Sequence, residues 1–243
     1  MGSYATAAEF YDLIYGEFKD HDAEADLIAG LVRERLPGAR TLLDVGCGTG
    51  SHAVGFSRLG FEVTGVDVEP TFIDIARAKA ADADFLQGDM VDFDVSERYD
   101  VVTSLFAAIG YVVEPDRLDR AVANMAAHLE PHGLLVVEPW FEPGVLTEGW
   151  ITTQVGRSPD VSVCRMSRTV VEGRRSHLEF EYVVGSASGI ERLSERHTLG
   201  LFTRDQMRHA FRSAGLEVEW LPEVGPFRGL YVGWRSSDRG DGA

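Results

Sequence analysis

The chain has 243 residues, 44% of them hydrophobic and 26% charged, with 39 Asp and Glu against 23 Lys and Arg and a formal net charge of −16 at pH 7. That length holds one α/β domain with an accessory element and is too short for two full enzymatic domains. The acidic balance, with no basic run or basic–aromatic stripe, argues against a nucleic-acid partner and leaves room for a small substrate, cationic or, where arginines converge, anionic.

Two cysteines, Cys47 and Cys164, make neither a disulfide framework nor a metal-ligand cluster, so a reducing, cytoplasmic compartment and no metal site are expected. No apolar run reaches transmembrane length and the N-terminus lacks the regions of a signal peptide, so no membrane association is expected.

In chain order, residues 21–36 carry apolar side chains at helical spacing, closed by Pro37-Gly38. Strand 41–45 then precedes a helix near 51–59, and strand 61–67 a helix near 70–80. Strand 84–87 leads into Gly88-Asp89-Met90, and strand 99–105 into the loop 106–111 and a helix near 115–129. A turn at Pro131-His132-Gly133 and a fifth strand at 134–140 follow. Short strands alternating with helices predict a doubly wound, mostly parallel sheet covered on both faces.

Near residue 150 the rhythm changes. Segments 151–156, 161–172, 176–185 and 189–200 are β-branched and aromatic, with turn signals at Glu172-Gly173 and Ser188-Gly189, and predict an antiparallel insertion. A helix near 203–214 has Thr203 as N-cap and Gly215 as its stop, and strands 216–221 and 229–234 bring the main sheet to seven. The expected organisation is an N-terminal helical cover (1–37), a ligand-binding α/β domain (38–149 and 201–235), the insertion on the substrate side (150–200), and a disordered tail (236–243).

The stretch LLDVGCGTG (42–50) ends a buried strand in Gly46, Gly48 and Gly50, which let the backbone turn tightly and approach a ligand. A dinucleotide fingerprint, G-x-G-x-x-G, would need its third glycine where Ser51 stands, so the spacing leans away from NAD. In an open parallel sheet, ligands bind beyond the carboxyl ends of the strands, where three stations should converge. The glycine turn follows the first strand, Asp67 can take both hydroxyls of a ribose, and Asp89 can accept from an adenine amine while Met90 touches the ring. An adenosine-containing ligand satisfies all three; the plainer alternative makes both acids helix caps.

LLDVGCGTG, then GVD, then GDM resemble the first three motifs of class I S-adenosylmethionine-dependent methyltransferases, whose fold is Rossmann-like. Further runs extend the resemblance over about residues 9–234: EFYDL (9–13), QGDMVDF (87–93), IGY (109–111), HLEPHGLLVVEPWF (128–141), HTLGLFT (197–203) and FRGLYVG (227–233). They are similar to the bacterial enzymes that dimethylate the amino group of nucleotide-linked deoxyamino sugars, as in the desosamine and mycaminose branches of antibiotic biosynthesis. Two departures stand out: Gly225-Pro226-Phe227-Arg228 is one residue shorter than the family motif, and Asp67 replaces the usual Glu.

The resemblance implies S-adenosylmethionine as cofactor and a nucleotide-linked amino sugar as acceptor, with a homodimer as a possible assembly. Another small amine or hydroxyl acceptor, or a non-catalytic adenosine binder, stays open. The cofactor set it implies is Tyr11, Asp44, Gly46, Cys47, Gly48, Gly50, Asp67, Val68, Asp89, Met90 and Leu105.

Methyl transfer is an in-line displacement that needs a neutral amine and little water, not a protein nucleophile. The catalytic candidates are Tyr111 and His197. Tyr111 would orient the amine, since an ordinary phenol (pKa ~10) is a poor base at neutral pH. His197 matches a histidine shared by the relatives, and a buried imidazole satisfied by a backbone carbonyl is the plainer expectation. The substrate candidates are Tyr15, Phe106, Trp140, Arg165 and Arg228. Arg228 is placed to pair with a diphosphate, or else with an acidic neighbour. Arg165 and Arg168, three apart on a strand, should face opposite ways. Glu138 could attract a cationic amine or cap a loop.

Overall fold

The computed structural model describes residues 7–236; of the expected tail, only Ser236 lies within them. Five parallel strands form the centre of the main sheet: β1 (Thr41–Val45), β2 (Glu62–Asp67), β3 (Asp84–Gln87), β4 (Tyr99–Ser104) and β5 (Leu129–Val137). Their spatial order is β3-β2-β1-β4-β5, extended beyond β5 by β11 (Leu230–Trp234) and then β10 (Glu217–Leu221), which pair antiparallel. This is the expected seven-stranded, mostly parallel, Rossmann-like sheet. The direction of winding reverses between β1 and β4, which opens a crevice beyond their carboxyl ends.

Alternation along each strand assigns its side chains to two layers. Leu43, Val102 and Leu135 pack with Leu118, Met125 and Phe211, which come from α5 (Pro115–Ala127) and α6 (Arg204–Ser213). Leu42, Val101 and Val136 pack on the opposite face with Ile28, Phe56 and Ile73, from α2 (His21–Arg35), α3 (Ser51–Arg58) and α4 (Pro70–Lys79). Local chemistry starts these helices where the sequence signals them. Pro70 and Pro115 open α4 and α5. Thr203 Oγ1 accepts from the Gln206 N–H (3.2 Å) while Gln206 Oε1 accepts from the Thr203 N–H (3.0 Å), a reciprocal cap on α6.

One expected turn is not a turn. Pro131-His132-Gly133 lies inside β5, which begins at Leu129 opposite Tyr99. The pairing with β4 then slips, so that Val101 faces Leu134, and the intervening residues bulge while staying extended. The strand also ends at Val137 rather than 140, just before Pro139.

The insertion is a second sheet of four antiparallel strands, β6 (Ile151–Arg157), β7 (Val161–Glu172), β8 (Arg175–Ser186) and β9 (Gly189–Gly200), in sequential order. Val163, Phe180, Tyr182 and Val184 face inward and pack with Phe10 and Ile14 of the N-terminal segment, which includes α1 (Tyr11–Tyr15). Among the described residues, no helix is long and apolar enough to cross a membrane.

At Gly156 of β6 the α1 backbone comes so close that a Cβ would collide with the Leu13 carbonyl group. Neither backbone can yield cheaply. Gly156→Ala should therefore cost ~1–3 kcal/mol of unfolding free energy in urea titration; wild-type stability would show that α1 is not fastened there.

Candidate active site

Beyond the carboxyl ends of the central strands lies a hollow of about 260 Å³. The glycine turn forms its floor. Gly46 and Gly48 have φ of 77° and 54°, the left-handed region that side-chain-bearing residues avoid. A Cβ on Gly46 would meet the Ala108 Cβ at 2.6 Å, whereas one on Gly48 would meet nothing within 4 Å. The turn is thus tight on one side and open towards the hollow.

Asp67, at the tip of β2, ties this turn to the next loop. Its Oδ2 accepts from the Gly48 N–H (2.8 Å) and its Oδ1 from the Glu69 N–H (2.9 Å). Burial pushes its pKa up, and these two amides oppose the rise. Beside it, Glu69 Oε2 is buried without a hydrogen-bond partner among the described residues. Two carboxylates at one wall, one with unmet acceptor capacity, suit the hydroxyls of a ribose. Val68, Met90, Leu105 and Phe72 supply the apolar walls that a purine needs.

Tyr11, Phe106 and Tyr111 also line the hollow. Tyr11 meets Phe72 edge-on (ring centroids 5.0 Å apart) and tilts against Tyr15 (4.4 Å). Phe106 and Ala107 have φ of 51° and 59°, a left-handed pair without glycine that costs of order 1–3 kcal/mol per residue. Glu138, buried at the end of β5, holds this turn by accepting from the Phe106 N–H (2.7 Å). Of its two expected roles, the loop-capping one is present.

Other expected residues lie further out. Asp44 and Cys47 line a side pocket of about 30 Å³, and Asp44 accepts from Thr103 Oγ1 (2.8 Å) beneath the turn. Gly50 is the N-cap of α3. Asp89 reaches the hollow with both oxygens already engaged: Oδ1 accepts from the Val91 N–H (3.1 Å) and Oδ2 from Arg117 Nη2 (2.8 Å). An adenine amine there would share that carboxylate.

On the insertion side, Arg165 is buried between the rings of Tyr15 (4.7 Å) and Phe180 (4.6 Å) and donates to Tyr15 Oη (2.9 Å). Arg168 faces the other way and pairs with Glu179 (3.1 Å). Trp140 Nε1 donates to Ser176 Oγ (2.8 Å). Arg228 donates to Glu138 Oε1 (2.8 Å), with its guanidinium over Trp140 (4.9 Å) and Phe141 (5.1 Å). His197, on β9, is fully buried, but side chains bind it rather than the expected carbonyl: Tyr111 Oη is 3.1 Å from Nδ1 and Glu195 Oε2 3.3 Å from Nε2.

Sequence reasoning missed Glu69, Phe72 and Arg117. Phe72 and Arg117 have only helical spacing to recommend them, and Glu69 reads as an ordinary cap before Pro70. It also missed a polar cluster at the side pocket. There His52 Nε2 is 2.7 Å from the buried Glu24 carboxylate, which also pairs with Lys19, and the His21 ring packs edge-on against His52 (4.9 Å). Among the described residues, no group of His, Cys, Asp and Glu could hold a metal ion.

A doubly wound sheet with a glycine turn after β1, an acidic tip on β2 and an apolar hollow between them defines a class I S-adenosylmethionine-dependent methyltransferase. Comparison with known proteins agrees. A family described as a methyltransferase domain matches residues 42–133. The dTDP-3-amino-3,4,6-trideoxy-alpha-D-glucopyranose N,N-dimethyltransferase of Streptomyces venezuelae is 41% identical over 229 residues, covering 93% of this chain and 96% of that protein. The dTDP-4-amino-2,3,4,6-tetradeoxy-D-glucose N,N-dimethyltransferase of Saccharopolyspora spinosa is 38% identical, covering 94% and 92%. The solved structure of S-adenosylmethionine-bound CalS10, an amino pentose methyltransferase from Micromonospora echinaspora, superimposes with a TM-score of 0.82 at 36% identity, covering 91% and 94%. The chain belongs to the family that these N-methyltransferases form, and S-adenosylmethionine is its cofactor.

Two predictions follow from this geometry. Asp67→Asn places an amide donor against one of two N–H donors and removes the charge; S-adenosylhomocysteine affinity should fall roughly 10- to 100-fold, the ~1.5–3 kcal/mol of a charge-assisted hydrogen bond. Unchanged affinity in calorimetric titration would contradict the ribose assignment. Burial, with His52 and Lys19 nearby, holds the His21 pKa down to about 4 from 6.5. Below pH 6.5 the unfolded chain takes up a proton that folded His21 refuses, so this contribution to stability is lost as pH falls from 6.5 towards 4. His21→Gln should flatten the fall in melting temperature over that window; an unaltered slope would contradict it.

Proposed function

We propose that the protein transfers methyl groups from S-adenosylmethionine to the exocyclic amine of a dTDP-linked deoxyamino sugar, twice in succession. What carries this reading is the chain-length identity to N,N-dimethyltransferases of such sugars, joined to a hollow whose outer rim is aromatic and polar rather than open. The cofactor supplies an electrophilic methyl group on a sulfonium centre. The protein's task is to seat the nucleoside, align a neutral amine and keep water out.

Asp67, Glu69, Val68 and Met90 hold the nucleoside, and Tyr11 closes the hollow from the N-terminal segment. Tyr111 orients the amine by hydrogen bonding, while Phe106 and Trp140 line the acceptor's path. Arg228, braced on Trp140 and Phe141, is the cation assigned to the diphosphate, with Glu138 its partner in the protein alone. Arg165 supports the site indirectly, by holding Tyr15. The exposed outer face of the second sheet, with Ile151, Val155, Met166 and Val183, supports a homodimer built on that face.

The relatives differ in whether the amine sits at sugar carbon 3 or 4, so the decisive assay uses both. Protein, S-adenosylmethionine and a panel of dTDP-linked 3-amino- and 4-amino-deoxysugars should give an N,N-dimethylated product by mass spectrometry. No methylated product from any sugar, with S-adenosylhomocysteine binding intact, would refute the substrate class; a methyl group on oxygen would favour a hydroxyl acceptor.

A further inference from the structure

The acceptor amine arrives in water as an ammonium ion, which has no lone pair to offer. Its proton must go somewhere before each transfer. The residues behind Tyr111 supply a destination. Glu195 lies buried on β9, two residues before His197. Burial favours its neutral form, but hydrogen bonds from His197, Tyr182 and the Ala7 N–H outweigh this and leave its pKa below the ordinary value. Tyr182, held protonated by burial and by Glu195, donates to Glu195 Oε2 (3.0 Å), and the Ala7 N–H donates to Oε1 (2.9 Å).

An ionised carboxylate only accepts, so His197 Nε2 must donate to it. In a neutral imidazole the other nitrogen, Nδ1, is then the acceptor, and the Tyr111 O–H donates to it. Tyr111 lines the hollow, and a phenolic oxygen that donates its proton to Nδ1 acts towards any further N–H as an acceptor. That polarity suits an N–H of the substrate and opposes any acceptor group placed there.

We propose that Glu195 and His197 are positioning residues that fix Tyr111 as the amine's hydrogen-bond acceptor and receive the proton the ammonium ion must lose. The ammonium N–H bond breaks to Tyr111 Oη as the phenol proton passes to His197 Nδ1. The result is a neutral amine, an unchanged tyrosine and an imidazolium ion paired with the Glu195 carboxylate. After the product leaves, the proton returns through Tyr111 to water, and a second round removes the proton of the methylammonium in the same way. Among the described residues, the charged and titratable groups around the ring are Tyr111 on one side, Glu195 with Tyr182 on the other, and Arg165 behind Tyr182, against the Phe180 face.

This rests on the amino-sugar reading, and its test separates the two. In Glu195→Gln the contact to Nε2 persists but the counter-charge is gone. Near neutral pH its kcat/KM for the amino sugar should fall roughly 10²-fold, within the range of proton-transfer catalysis, with S-adenosylhomocysteine affinity unchanged. The gap should close as pH rises above the amine's own pKa, where no proton needs removing. A deficit constant across pH would mean a merely structural role and would overturn the proposal. Nitrogen-15 NMR of the wild-type histidines decides the hydrogen-bond direction without any variant or substrate: His197 protonated on Nε2 supports it, and on Nδ1 overturns it. Wild-type protein inactive on every amino sugar would refute the substrate class instead, leaving the tautomer measurement to judge the relay.

Discussion

The site depends on one carboxylate. Asp67 accepts from the Gly48 and Glu69 amides at once, and so locks the glycine turn of β1 to the loop leaving β2. It reinforces a backbone tie, the Gly46 and Cys47 N–H groups donating to the Val66 carbonyl (2.7 and 3.1 Å). The turn is built from left-handed glycines, which lose much conformational freedom on folding, and the β2 loop leads directly into α4. Two backbone amides offset part of the cost of burying one carboxylate, and they join the floor of the hollow to the acidic wall beside it.

Around that floor the chain solves a second problem, the exclusion of water. The main sheet covers only one side of the hollow. The N-terminal segment closes another, and it is held from two directions: Phe10 and Ile14 pack on the insertion, and Asp12 pairs with Lys79 of α4 (2.6 Å) while accepting from Thr49 Oγ1 (2.6 Å). The insertion thus carries the cover as well as the histidine behind Tyr111. A single mixed-origin wall, made from residues far apart in sequence, flanks the hollow.

Much of this was readable from the sequence because it is local. The β-α alternation, the proline-led helices and the Thr203–Gln206 cap each announce themselves within a few residues. The glycine spacing and the acids at the tips of β2 and β3 are local in the same way, and the fold brings them to one hollow. What stayed hidden is set by tertiary partners. The Pro131-His132-Gly133 stretch has the composition of a turn, yet pairing with β4 keeps it extended. Arg228 and Arg165 read as substrate-binding cations, with an acidic neighbour as the alternative for Arg228, and each sits on aromatic rings with a protein partner. Glu195 and His197 share one strand face by the period-two rule, but no spacing rule joins to them Tyr111, which comes from the loop after β4. Sequence pattern finds residues that share a local motif; it finds poorly those that meet each other across the fold.

The central claim is that one hollow seats the nucleoside against Asp67 and presents the acceptor amine to Tyr111. A crystal structure of the ternary complex with S-adenosylhomocysteine and a dTDP-linked amino sugar tests it most directly. The account predicts ribose hydroxyls on the Asp67 carboxylate and the sugar nitrogen within hydrogen-bond distance of Tyr111 Oη. A nucleoside bound away from Asp67, or a sugar amine turned from Tyr111 towards solvent, would contradict it.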